Sequence, residues 1–150
     1  MGLDKGDHRS LALWAADCAE HVLPYFEEMC PDDDRPRKAV EAGRAWARGE
    51  MTVSGALAAA FAAHAAAREA RQATARAVAR AAGHAAAAAH VAGHAAHAAT
   101  YAVTAATRAA GPETAAAAAA KERDWQYRHL PKRLRPLVPQ AGGNPARRPI

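Results

Sequence analysis

The stretch GHAAAAAHVAGHAAHAATY, residues 83–101, is built almost wholly from alanine and histidine and holds no carboxylate. Alanine loses no side-chain entropy in a helix and is the strongest helix former, so the stretch reads as helical. At about 100° per residue, His90, His94, His97 and Tyr101 fall within one narrow stripe. The residues allow either a turn at His90 or one unbroken helix. Four polar rings on an alanine background have the look of a site, but by themselves they specify no chemistry.

Working outward, the chain has 150 residues, with 47 alanines against eight leucines and one isoleucine. That length suits one domain able to bury a core without disulfides. Strand formers are scarce, so the class is all-α: a compact, alanine-rich bundle of six or seven helices with residues 74–110 innermost. Alanine buries little area, and burial contributes about 25 cal/mol per Å², so the helices must approach closely. Residues 1–50 carry seven Lys/Arg against eleven Asp/Glu, and residues 51–150 carry thirteen against four, giving a net charge of +5. The basic residues are spread over helix surfaces and a tail, which favours a solvated face over a nucleic-acid footprint. Two cysteines, Cys18 and Cys30, are too few for a disulfide framework. With no apolar leader and no credible membrane span, the expected location is the cytoplasm, with both thiols reduced.

Three parts follow: residues 1–8 as a flexible start, residues 9–138 as the helical domain, and residues 139–150 as a disordered basic tail. The first helix is expected from Arg9, with Leu11, Ala15, Cys18 and Val22 inward. It should break near Val22, so that Pro24 opens a short helix to Met29. Aspartates 32–34 cap the next helix, which has Val40, Gly43 and Ala47 inside, Trp46 alongside and Gly49 as its cap. Thr52 or Ser54 opens a helix with Leu57, Phe61 and Ala65 inward, ending near Glu69. Another spans Thr74 to about Ala89, with Arg76 and Arg80 on its wet side. The next runs from Val91 to Ala110 and stops at Gly111-Pro112. A last helix covers Glu113 to His129, and PKRLRPLVP adds at most one turn.

Three candidate constellations stand out. His90, His94 and His97, at i, i+4 and i+7, have the spacing of helical metal ligands, yet from Gln72 to Pro112 no carboxylate is available to help them. The preferred reading is structural: imidazoles packed between alanine-rich helices and hydrogen-bonded to backbone or acid, with no cofactor. His64 and His84 have no serine, cysteine or acid at a spacing that would organise a catalytic set, and Cys18 sits on an apolar face. Trp14, Trp46 and Trp125 read as core anchors. Glu27, Glu28, Asp32, Asp33 and Asp34 form the one concentrated acidic patch, either capping helices or docking a basic partner. A basic set, Arg123, Arg128, Lys132, Arg133 and Arg135, gives the weakest option, nucleic-acid binding.

Three blocks in order, LALWAADCAEHVLPYFEE at 11–28, DDRPRKAVEAGRAWARGE at 33–50 and ARAAGHAAAAAHVAGHAAHAATYA at 79–102, resemble the immunity-protein-5-like family of small helical bacterial proteins. The likeness covers about residues 9–130. It implies an all-helical domain that protects a bacterium from a toxin, and it brings no catalytic residues. Members of that family often have proline near position 92, where this chain has Ala92. The expected function is stoichiometric binding of a cognate toxin through the acidic patch, not catalysis. The metal-binding and nucleic-acid readings are the alternatives, and the sequence leaves the oligomeric state open.

Overall fold

Asp4 starts the first helix: its carboxylate accepts the amide of Asp7 at 2.7 Å, satisfying one of the donors that a helix N-terminus leaves free. The computed structural model describes residues 3–138. Among them are six α-helices, a closing 3₁₀ segment and no strand. These are α1 (Lys5–Met29), α2 (Arg35–Ala47), α3 (Val53–Glu69), α4 (Ala73–Ala87), α5 (His94–Ala110), α6 (Ala115–His129) and the 3₁₀ segment Lys132–Leu137. The all-α, single-domain expectation holds. The expected tail, 139–150, lies outside the described residues.

Helix α1 corrects two expected boundaries. It begins at Lys5, within the segment read as flexible, and it continues through Pro24 instead of breaking near Val22. Continuity keeps Leu23 and Phe26 on the buried face already formed by Cys18, Ala19 and Val22. Pro24 lies on the exposed side, where a carbonyl deprived of its amide partner can be hydrated. Burial of two large apolar side chains outweighs one lost backbone bond.

Helix α4 is the centre of the bundle and packs against α1, α2, α3 and α5. Nearly every alanine in it is buried, as expected for helices that meet through small side chains. Gly43 of α2 shows how near the backbones come, since a Cβ there would lie 3.1 Å from the carbonyl oxygen of Ala85. On α3 the inward face is Ala56, Ala60, Ala63 and Ala66, whereas Leu57 and Ala65 are half-buried and Phe61 is 68% exposed. The expected Leu57–Phe61–Ala65 face is therefore wrong: the alanine face approaches α4 more closely than a leucine and phenylalanine face could.

Thr52 caps α3 through Gly55, and Gly49 and Gly111 end α2 and α5 at positive φ. Asp34, by contrast, makes no side-chain cap to α2; Asp33 takes the amide of Arg35 at 3.1 Å instead. Helix α4 ends at Ala87, and α5 begins only at His94, so the continuous alternative is excluded. His8 of α1 closes this turn by donating from Nε2 to the carbonyl of Ala88 at 2.6 Å. Trp46 is only half-buried and lies against the His8 ring, with centroids 4.7 Å apart. At the other end Leu134, fully buried, anchors the 3₁₀ segment.

Candidate functional site

The α4–α5 turn decides the fate of the histidine stripe. His90 sits exposed in that turn, so His90, His94 and His97 do not form the three-ligand set that a continuous helix would give. His84 of α4 takes the central place. Its ring centroid lies 5.2 Å from His94, 5.2 Å from His97 and 5.1 Å from His64 of α3, and it stacks on Tyr101 at 5.3 Å. Gly83 makes room for this cluster, because a Cβ there would lie 2.6 Å from His64 Nε2.

Protonation states follow from the bonds. Arg80 Nη1 donates to His64 Nδ1 at 2.8 Å, so that nitrogen is an acceptor and the ring is neutral. Arg80, expected on the wet side, is drawn half inward by this bond. His84 and His94 share a bond of 3.0 Å between their Nδ1 atoms, one donating to the other. The structural histidines were expected to bond backbone or acid; this pair bonds imidazole to imidazole. Burial, together with neighbouring His64, His94, His97 and Arg80, pushes the His84 pKa down to about 4. Burial also lowers His64 and His94. Among the described residues no group of three or more His, Cys, Asp or Glu is arranged to hold a metal ion. The cluster ties α3, α4 and α5 together as packed rings.

The acidic patch divides in two. Arg37 clamps Glu27 through two bonds of 2.6 Å, Asp33 and Glu69 share Arg35, and Lys38 pairs with Asp34 at 3.2 Å. Arg37 and Arg35 hold the carboxyls of Glu27, Asp33 and Glu69 below their ordinary range. Glu28 and Asp32 have no such partner among the described residues.

Beside this edge the fold builds a surface that sequence reading missed. The His21 ring lies flat on Trp125, with centroids 3.8 Å apart and planes 3° from parallel, and His129 stacks on the other face at 4.1 Å. Trp125 was expected in the core, yet it is half-exposed. Two anchors fix the stack: His21 Nδ1 donates to the buried carboxylate of Glu122 at 2.8 Å, and His129 Nδ1 donates to the Trp125 carbonyl at 2.7 Å. A groove of about 370 Å³ runs past it, lined by Asp17, Glu20, Pro24 and the three rings. Arg44 bridges Asp17 and Glu20 at its rim. The i,i+4 spacing of Trp125 with His129 was readable, but the approach of His21 from α1 needs the tertiary fold.

The basic set does not gather into a stripe. Arg128 pairs with Asp124, Arg133 with Asp7, and Arg135 covers the Tyr127 ring. Cys18 is fully buried, and burial pushes its thiol pKa well up, as for a structural cysteine. No described helix is long and apolar enough to cross a membrane.

The chain belongs to the family described as "Imm-5 like putative immunity protein", whose profile matches residues 2–133. Comparison with curated proteins and with solved structures gives no match.

Proposed function

We propose that the chain is an immunity protein that neutralises a cognate toxin by binding it directly, without catalysis. The family match over residues 2–133 is the observation that carries this reading. The exposed side of α1 supports it. Asp17, Glu20, His21, Pro24, Tyr25 and Glu28 follow one another at helical spacing, and Trp125 and His129 of α6 lie against them. Aromatic residues, Trp above all, are enriched in binding hot spots because their rigid rings bury large area at little entropy cost, and charged residues belong to the solvated rim. The acidic residues Glu27, Glu28, Asp32, Asp33 and Asp34 continue this face, and a basic toxin is the partner that suits them.

The ion pairs decide which residues to test. Glu28 and Asp32 are free to steer a partner, whereas Glu27, Asp33 and Asp34 also hold α2 in place. Glu28→Lys with Asp32→Lys should slow association with the toxin in a salt-dependent way, and Trp125→Ala should speed dissociation. Unchanged kinetics in both variants would remove this face from the interface.

A further inference from the structure

Between α5 and α6, bounded by Trp14 of α1 and by Leu130 and Val138, lies a cavity of about 110 Å³, separate from the face described above. Trp14, Ala99, Val103 and Leu130 supply its apolar wall. Its polar lining is nearly spent. Trp14 Nε1 donates to the Gln126 carbonyl at 2.9 Å, and Gln126 Nε2 donates to the Ala99 carbonyl at 2.9 Å. Thr100 and Thr104 turn their hydroxyls back to the carbonyls of Ala96 and Thr100 at 3.0 and 3.1 Å.

Arg123 is the exception. Its Nε is buried with no hydrogen-bond partner, and it makes no ion pair among the described residues. An unsatisfied buried donor of this kind is rare in a folded protein and calls for an acceptor from outside. Nε is the inner donor of the guanidinium fork, whose geometry matches a carboxylate. One unpaired cationic donor in a partly open cavity with an apolar wall selects an anionic head on a compact apolar body.

We propose that this cavity binds a small monocarboxylate with a branched or aromatic body. The carboxylate pairs with Arg123, and the body packs against Trp14, Val103 and Leu130. The site does not depend on the toxin-binding reading and is tested without a toxin.

Calorimetric titration of the full chain with benzoate, and with benzamide as the uncharged control, decides the matter. Benzoate should bind saturably at one site with a Kd below about 10 mM, and benzamide at least about tenfold more weakly. Arg123→Met keeps the aliphatic stem and removes the unpaired donor. It should fold with undiminished thermal stability and lose at least about tenfold in benzoate affinity. Val103→Phe, which fills the space and leaves Arg123 in place, should also abolish binding. Absence of saturable binding, equal binding of benzamide, or benzoate binding that survives Arg123→Met would each overturn the proposal.

Discussion

Acidification should weaken the fold through His84 before the carboxylates take part. His84 titrates near its ordinary 6.5 when unfolded and at about 4 when folded, because its ring is half-buried among His64, His94, His97 and Arg80. The unfolded chain therefore binds the proton more readily, so stability is complete above about pH 6.5 and falls as pH drops towards 4. Between pH 7 and pH 5 this linkage amounts to about 2 kcal/mol if the whole charge is counted. Since the ring is half-exposed, solvent screening reduces that to roughly 1 kcal/mol. His64 and His94, also lowered, act in the same direction. The ion-paired carboxylates of Glu20, Glu27, Asp33 and Glu69 are held below their ordinary values of 4.5 or 3.8, so their loss comes mainly at lower pH. Urea unfolding at pH 7 and pH 5 measures the difference, and His84→Asn isolates its source. Any change in the bond to His94 acts at both pH values, so only the variant's pH slope matters. That slope should be shallower by roughly 1 kcal/mol over the interval. Identical slopes in parent and variant would refute the assignment to His84.

Three further outcomes follow from packing. Gly83→Ala should cost about 1–3 kcal/mol in urea unfolding, since its Cβ would lie 2.6 Å from His64 Nε2 and displace the ring from Arg80. Adding His64→Ala should recover part of that loss. Leu134→Ala should cost about 2–4 kcal/mol, because a fully buried side chain holds the 3₁₀ segment to the bundle. With an aromatic disulfide reagent, Cys30 should react in the native protein and Cys18 only on unfolding, since Cys18 alone is fully buried.

Fold class was legible because alanine-rich periodicity, Thr52 as a cap and the Gly111-Pro112 stop are local signals. Local signals also misled. Pro24 reads as a break, yet Leu23 and Phe26 hold α1 together from the far side of the helix. Phe61 reads as core because it is large, but in a bundle built on alanine contacts the larger side chain is displaced outward. The histidine stripe was legible only in part: His94, His97 and Tyr101 do share a face, while His84 and His64 join them from other helices. The stack of His21 on Trp125 joins residues of α1 and α6, and no periodicity within either helix encodes it.

The most direct test of the account is a titration of toxin activity. A candidate cognate toxin is mixed with increasing amounts of the purified chain, and its activity and the mass of the complex are measured together. Neutralisation by direct binding predicts that activity falls linearly to zero at one equivalent, with a stable one-to-one complex and a toxin that regains activity when released. Toxin that is chemically altered on release, or inactivated by far less than one equivalent, would contradict direct binding and point to catalysis.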